Sequence, residues 1–483
     1  MKLLSLLATF SPWEMQHLKD FVRSPYFNKQ ARLVHLFDTL HIRHPDMEEL
    51  PKEALFEAMY PDKSFDAQLL YDGVSQLTRL IERFLMHQRV EDDFAHRVHF
   101  LLPDLLLRDR KRFLHEWKRQ AKVKPPFSVP QAHFYQYEHY KLAVEAQGLY
   151  PGMFKEAPFD EMVEELNLFY LTLRLRYACL GQARAQVFNK EKEAVMVEQI
   201  LTFLASQPFF LERSALLKSY YLLYKLQIEG IHAGEFQAVV QEIQTKHQEI
   251  PEEYQREIYS LLTTLCIRQI NLGEEPFREI LFQLYQWQLT YEMMFQEGHL
   301  SARNFKNIVA LGLKLKKFEW VEAFIQDYGH RVSEDARSNA LAYNRATLFF
   351  ARGEYEKVRK ELREVYFSDV VYQLGANVLL IKVYVELGEF DVLFSLLDSF
   401  SAFVRRNKAV PSYQKKLYAT WITFVRKFAR IKVQVVVSTG LVKFSQIRQF
   451  KKRLSLQKQM VQHDWLSEQV DRLIERYPSS KSH

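Results

Sequence analysis

Apolar residues recur along this chain at the three- and four-residue spacing that places side chains on one side of an α-helix. The clearest stretch runs from Phe65 to about Val90 and carries Leu69, Leu70, Val74, Leu77, Leu80, Ile81, Phe84 and Leu85 at that spacing. The same period returns through most of the 483 residues. The pattern therefore predicts an all-α protein.

Prolines and glycines divide this periodic pattern. KVKPPFSVPQ, residues 122–131, holds three prolines in ten residues and is the best candidate for a domain boundary. We predict a helical N-terminal domain over 1–124, helical repeats over 131–400, and a basic helical cap over 401–483. Ser11, Pro12 and Glu14 are typical of a helix start, with Ser11 as the N-cap.

Several helical stretches end in a glycine, one further residue, and an aromatic residue. The sites are Gly234-Glu-Phe236, Gly353-Glu-Tyr355 and Gly388-Glu-Phe390, with Lys316-Lys-Phe318 in the same place without glycine. We expect each glycine to end a helix in the left-handed conformation, and the aromatic residue to wedge between paired helices. Gly148 and Gly181 are expected to close helices as well. The last three turns recur at intervals of 37 and 35 residues, a period typical of stacked helical hairpins.

Two of these units resemble tetratricopeptide repeats. The matching positions are Ala346, Phe349, Gly353 and Tyr355 in one unit, and Tyr384, Gly388 and Phe390 in the next. Val358 and Leu393 stand where the repeat has a second-helix alanine. The resemblance implies a right-handed α-solenoid of stacked helical hairpins, tetratricopeptide-like, following a helical N-terminal domain.

SPYFNK at 24–29 and HDWLSEQV at 463–470 also resemble landmarks of a bacterial family of helical-repeat proteins. This second resemblance implies no function.

The tetratricopeptide resemblance implies a concave groove lined from the first helix of each hairpin. The residues predicted to point into this groove are Tyr343, Thr347, Phe350, Lys382 and Glu386. The family's clamp for a peptide carboxylate has asparagine where Thr347 and Lys382 stand. The resemblance therefore implies peptide binding in the groove without the carboxylate clamp.

Charge is distributed unevenly along the chain. From Ser399 to His463 there are 15 Lys and Arg and no Asp or Glu, although the whole chain carries a net charge of only +7. The remaining residues hold 51 basic and 59 acidic groups, a net charge of −8. The protein is thus an acidic body with a basic C-terminal end.

The helix predicted over 413–432 has two different sides. The apolar side carries Tyr413, Leu417, Trp421, Phe424, Phe428 and Ile431, and the opposite side carries Lys415, Lys416, Arg426, Lys427 and Arg430. We expect the aromatic side to pack in a core. We expect VQVVVSTGLVKF, residues 433–444, to be non-helical because of its β-branched residues and Gly440.

A last helix is predicted from about Phe444 to Tyr477. It places Arg448, Lys452 and Arg453 away from its apolar side, with Lys451 at the margin. Three interpretations of the cations of both helices stay open: a solvated cap partly paired with acids of the body, a site for an acidic protein partner, or a site for nucleic acid or an anionic membrane surface.

The search for catalytic and cofactor motifs is negative. None of the phosphate-binding, dinucleotide-binding, nucleophile-elbow, HExxH or paired CxxC motifs occurs. The weak candidates are a metal cluster of Asp92, His96 and His99 and the carboxylate pair Glu164-Glu165, which we interpret as exposed helix surface. We predict no enzymatic activity, no cofactor and no metal.

Cysteine content and hydropathy indicate the compartment. Cys179 and Cys266 are the two cysteines and are expected to be buried and unpaired. The apolar start, Leu3 to Phe10, is too short for a signal peptide and lacks a cleavage site. No apolar run is expected to span a membrane, and we predict a cytoplasmic protein.

These observations lead to one functional prediction with an alternative. The protein is predicted to be a protein–protein interaction scaffold or adaptor without catalytic activity. Its predicted partner is a protein or peptide, and an acidic partner is one of the open interpretations. The alternative is a nucleic-acid-binding helical protein that uses its acid-free basic end.

Overall fold

Helices form nearly all of the protein, so the predicted all-α class is confirmed. The computed structural model describes residues 2–45, 50–92, 100–101, 104, 108, 129–149, 158–188, 196–363, 370–437, 442–457 and 459–476. These ranges contain 22 α-helices and a single pair of two-residue antiparallel strands, β1 (Phe295–Gln296) and β2 (His299–Leu300). His96 and His99, proposed above as metal ligands, lie outside the described residues.

The chain divides into two compact units. Unit 1 comprises Met1–Tyr224 with Gln248–Ile250, and unit 2 comprises Lys225–His247 with Pro251–His483. The predicted domain limits near 124 and 401 stay predictions, because residues 122–128 lie outside the described ranges.

The helices of unit 1 begin with a bundle of five. In chain order they are α1 (Lys2–Leu7), α2 (Pro12–Arg23), α3 (Ala31–Ile42), α4 (Lys52–Met59), α5 (Ala67–Asp92), α6 (Pro130–Leu149), α7 (Phe159–Phe188), α8 (Val197–Ser206), α9 (Phe209–Arg213) and α10 (Ala215–Ile228), the last of which crosses into unit 2. The first five helices pack around Leu18, Leu36, Phe37 and Leu77, which are fully buried.

The start of α2 shows how local sequence begins a helix. The Ser11 backbone N–H donates to Glu14 Oε2 at 2.7 Å, and the Glu14 N–H donates to Ser11 Oγ at 3.2 Å. This reciprocal pair is the predicted capping box, and Pro12 occupies the first turn. The Ser11 hydroxyl also donates to Glu14 Oε2 at 2.8 Å, and the two hydrogen bonds that the Glu14 carboxylate accepts from Ser11 lower its pKa. The helix then buries Met15, Leu18 and Val22.

Unit 2 is built mainly from helices. They are α11 (Ala233–Thr245), α12 (Glu252–Asn271), α13 (Phe277–Thr290), α14 (Ala302–Lys314), α15 (Phe318–Tyr328), α16 (Glu334–Ala351), α17 (Tyr355–Arg363), α18 (Val370–Leu387), α19 (Phe390–Arg406), α20 (Ser412–Val437), α21 (Val442–Leu456) and α22 (His463–Arg476). The pairs α14–α15, α16–α17 and α18–α19 are in contact, and α16 also packs on α14 and on α18.

The turns that join the two helices of each pair share one geometry. Lys316, Gly353 and Gly388 have φ angles of 58°, 77° and 76°. The next N–H in each turn donates to the carbonyl five residues earlier: Lys317 to Gly312 at 2.9 Å, Glu354 to Phe349 at 2.9 Å, and Glu389 to Tyr384 at 3.0 Å. This left-handed helix ending with its long-range hydrogen bond confirms the predicted role of the three turn positions.

Two other glycines were interpreted wrongly. Gly234 lies in the first turn of α11, and the left-handed residue before that helix is Gly230, with φ of 88°. Gly181 lies inside α7, where a β-carbon would meet no atom within 4 Å. Both glycines have ordinary helical backbone, and the residues on either side of each belong to the same helix.

The C-terminal end also differs from the prediction. Helix α20 continues through the β-branched run as far as Val437, so the expected non-helical stretch was wrong at its beginning. The single last helix is two helices, α21 and α22, separated around Gln462, whose φ is 52°. Burial of Val435 and of Met460 in the same core explains both differences, since packing outweighs local propensity there.

Among the described helices, α18 alone is long and apolar enough to cross a membrane by length and composition. Half of its 18 residues are buried inside the protein. Ile381, Val383 and Val385 are fully buried, as in the central helix of a folded core. This burial makes the helix weak evidence for a membrane span.

The turn geometry predicts that Gly353→Val and Gly388→Val each lower the free energy of unfolding by about 1 kcal/mol or more, because a β-branched residue resists positive φ. The urea midpoint of each variant measures this loss.

Gly181→Ala provides the matched control. It lies in helical backbone with open space around it, so the substitution should leave the urea midpoint unchanged or raise it. An unchanged midpoint in the two valine variants would contradict the role assigned to the turns.

Candidate partner-binding surfaces

The aromatic side of α20 packs into the core of unit 2. Trp421 and Phe428 are fully buried, with exposed fractions of 0% and 1%. The Trp421 ring centroid lies 6.2 Å from that of Trp465 in α22, and the Phe428 centroid lies 6.1 Å from that of Phe450 in α21. Tyr413, which we assigned to this side, is instead exposed at the start of the helix.

The predicted cations of α20 fall into two groups. Arg426 donates to Asp398 of α19 at 2.7 Å, and Lys415 Nζ donates to the Arg405 carbonyl at the end of α19, at 3.1 Å. These two side chains therefore join α20 to α19. Lys416, Lys427 and Arg430 are exposed on the opposite side of the helix from Trp421.

Helix α21 adds further cations on its solvent side. Arg448, Lys452 and Arg453 are exposed, while Ile447, Phe450 and Leu454 are buried. Lys451 at the margin pairs with Asp471 of α22 at 2.7 Å. The sides of α21 are therefore as predicted.

The exposed cations of α20 and α21 lie on two helices that pack against each other. Phe450 packs within 5.8 Å of Phe424 and 6.1 Å of Phe428, ring centroid to centroid, which places the middle of α21 beside this part of α20. We call the exposed set the outer basic face, and it consists of Lys416, Lys427, Arg430, Arg448, Lys452 and Arg453.

The first predicted groove residues lie in a half-buried aromatic cluster. The Tyr343 ring centroid lies 5.5 Å from that of Tyr372, and Lys306 Nζ lies 5.0 Å from the Tyr343 centroid. A β-carbon at Gly375 would come within 2.6 Å of the Tyr343 ring, so the glycine makes room for the tyrosine. Burial raises the pKa of Tyr343. Thr347 donates its hydroxyl to the Tyr343 carbonyl at 2.7 Å.

The remaining groove positions contact α22. Lys382 donates to Gln462 beside that helix, and its Nζ lies 5.8 Å from the Phe350 ring centroid and 5.4 Å from the Trp465 centroid. Burial lowers the pKa of the Lys382 ammonium to about 8.

Glu386 is held in the same way one turn further along α18. It accepts a hydrogen bond from Gln469 and lies 3.5 Å from Arg472. The last helix of the chain thus covers part of the surface that the resemblance assigned to a peptide.

The sequence analysis did not identify a buried polar cluster in unit 1. Glu165 is 1% exposed, and it lies within hydrogen-bonding distance of His133 Nδ1 and accepts from Arg213. Arg213 also pairs with Glu164. We interpreted Glu164-Glu165 as exposed helix surface, which is wrong for Glu165. The only local signal for burial of Glu165 is its position among apolar residues on a helix. Its partners His133 and Arg213 lie 32 and 48 residues away in the sequence.

A cavity of about 510 Å³ lies in unit 1 between α2 and the end of α3. Its lining includes Phe10, Met15, His41 and His44. Burial, together with nearby Lys19, lowers the pKa of His41. Within the described ranges no group of three or more His, Cys, Asp or Glu side chains is placed to hold a metal ion. Cys179 and Cys266 are both buried and neither forms a disulfide bond, as expected.

Comparison with protein-family models, with curated proteins and with solved structures finds no match to this chain.

The two sides of α20 are expected to differ sharply in their effect on stability. Trp421→Ala should lower the free energy of unfolding by about 3–5 kcal/mol, through lost burial and the cavity that it leaves. Tyr413→Ala, an aromatic truncation at an exposed site of the same helix, should change it by less than about 0.5 kcal/mol. Urea titration of both variants measures the contrast, and equal losses would contradict the assigned sides.

The buried Lys382 predicts a pH dependence of stability. Its folded pKa of about 8 lies below the value near 10.4 expected in the unfolded chain, so the unfolded state binds more protons between these values. The contribution of Lys382 to the free energy of unfolding should therefore rise as pH increases from about 8 to about 10.

Lys382→Met should remove this rise, whereas Lys416→Met, at an exposed lysine, should keep it. Urea midpoints at several pH values measure the difference between each variant and the wild type. A slope with pH that is the same in Lys382→Met and the wild type would contradict the burial of this charge.

Proposed function

We propose that the protein is a scaffold or adaptor that binds an acidic protein segment and has no catalytic activity of its own. The proposal includes a cytoplasmic location and a right-handed α-solenoid built from the helical hairpins of unit 2. The repeated left-handed turns at Lys316, Gly353 and Gly388 support the hairpin repeat.

One observation carries the proposed binding site. Lys416, Lys427, Arg430, Lys452 and Arg453 are exposed and form no ion pair with another residue of the described ranges. They belong to the stretch from 399 to 463 that contains no acid. Cations kept in water without an internal partner can meet the carboxylates of a second protein at little desolvation cost. The outer basic face is therefore the proposed site.

The contacts of α22 favour this face over the predicted groove. Lys382 and Glu386 already have hydrogen-bond partners in or beside α22. A peptide in the groove would have to displace those contacts, whereas a partner at the outer basic face displaces only water and counterions.

The surroundings of the outer basic face favour an acidic protein over nucleic acid. Single-stranded nucleic acids gain much of their affinity from exposed aromatic rings. Trp421, Phe428 and Phe450 are turned into the core, and Tyr413 at the start of α20 is exposed. Lys451, which pairs with Asp471 of α22, is not part of this face.

The test replaces Lys416, Lys427, Arg430, Lys452 and Arg453 by Gln in one variant. Fluorescence anisotropy with a labelled polyglutamate peptide should show binding to the wild type that weakens with salt, and at least tenfold weaker binding to the variant. The melting temperature should stay within a few degrees of the wild type, because exposed charges contribute little to folding.

The matched control replaces Lys314, Lys360 and Arg363, exposed cations elsewhere in unit 2, by Gln. This control should bind the peptide like the wild type. A labelled single-stranded oligonucleotide that binds more tightly than the peptide, and is lost in the first variant, would favour the nucleic-acid alternative. Affinity capture from the native host with both variants then identifies the proteins that depend on the outer basic face.

A further inference from the structure

Helix α7 of unit 1 is apolar on two opposite sides. One side packs into the protein through Leu168, Leu171, Leu175 and Cys179, which are all buried. The other side carries Phe159, Val163, Leu166, Tyr170 and Tyr177, whose exposed fractions are 55%, 37%, 40%, 41% and 58%. An ordinary surface helix has polar residues there. The second side therefore needs a physical explanation.

The spacing of the exposed residues is regular. Together with half-buried Leu173 they follow one another at alternating intervals of four and three residues, the heptad spacing of a coiled-coil seam. At 100° per residue their mean direction lies about 180° from the buried side, and the row extends about 27 Å along the helix at 1.5 Å per residue. We call this row, Phe159, Val163, Leu166, Tyr170, Leu173 and Tyr177, the α7 stripe.

Charges beside the α7 stripe change sign along its length. Asp160 is exposed beside its start. Arg174 lies beside its end on the same edge as Asp160, and Arg176 lies on the other edge, with its guanidinium carbon 5.7 Å from the Tyr177 ring centroid. Two such helices in antiparallel orientation bring Asp160 of each beside Arg174 of the other. A parallel pair would place like charges together.

We propose that the α7 stripe pairs with the α7 stripe of a second copy of this chain, in antiparallel orientation. Six apolar residues from each copy then meet in three kinds of contact: Phe159 with Tyr177 of the second copy, Val163 with Leu173, and Leu166 with Tyr170. The twofold axis crosses the interface at the level of Leu168 along the helix. Both copies therefore contribute the same surface.

The size of the stripe indicates the strength of this dimer. A stable interface buries about 800 Å² on each partner over 20 to 30 residues, and a single helix row offers less. The dimer should therefore be weak and depend on protein concentration.

The first test measures the molar mass of the full chain by sedimentation equilibrium over a wide concentration range. The wild type should shift from monomer towards dimer as concentration rises. Leu166→Glu combined with Tyr170→Glu should stay monomeric, because each copy then places charges at the centre of the seam. Val392→Glu, at an exposed apolar residue of α19 in unit 2, should dimerise like the wild type.

The second test addresses orientation without altering the apolar seam. Asp160→Arg should weaken self-association severalfold, and so should Arg174→Glu. A mixture of these two variants should form a heterodimer at concentrations where each alone is monomeric, because only unlike copies then have opposite charges at both of the contacts between positions 160 and 174.

Three outcomes would overturn the proposal. A wild type that is monomeric at every concentration means that another segment or another protein covers the α7 stripe. A dimer that survives Leu166→Glu with Tyr170→Glu uses a different surface. Failure of the charge-swapped mixture to associate excludes the antiparallel arrangement. Circular dichroism melts of all variants identify any that fail to fold, and the charge variants leave every apolar residue in place.

Discussion

The burial of Trp421 determines the arrangement of the C-terminal helices. This largest apolar side chain of α20 has no exposed surface, and it is enclosed by a core that extends from α18 to α22. A helix that turns Trp421, Val425 and Phe428 inward must turn Lys416, Lys427 and Arg430 outward, because these residues lie about half a turn apart. The core and the outer basic face are therefore two consequences of one packing constraint.

The same core brings α22 against the inner surface of α18, and this has an electrostatic cost. Burying the Lys382 ammonium lowers its pKa to about 8, because the charged form loses hydration. The Gln462 side chain and the rings of Phe350 and Trp465 offset part of that cost.

Local features of this structure could be predicted from the sequence, and long-range ones could not. The capping box at Ser11 and the left-handed turns at Gly353 and Gly388 depend on residues within one turn of helix. The sides of α20 and α21 follow from helical spacing. By contrast, the contacts of Lys382 with Gln462 and of Glu386 with Gln469 join residues 80 and 83 positions apart. They depend on how helices stack, which periodicity does not encode. Helix α20 shows the same limit. Val435 is helical because its side chain is buried in the core of unit 2, which local sequence does not reveal.

Helix α7 shows why a helix with two apolar sides escapes sequence reading. Apolar residues on opposite sides cancel in any measure of amphipathicity, so the helix lacks the single stripe that identifies a core-facing surface. Leu168 and Tyr170 both look like core residues, yet one is buried and the other is exposed. Only the three-dimensional contacts separate the side that α6 covers from the side that it leaves exposed. The α7 stripe belongs to unit 1 and the outer basic face to unit 2. Variants of one surface therefore leave the other intact, and self-association can be separated from partner binding by experiment.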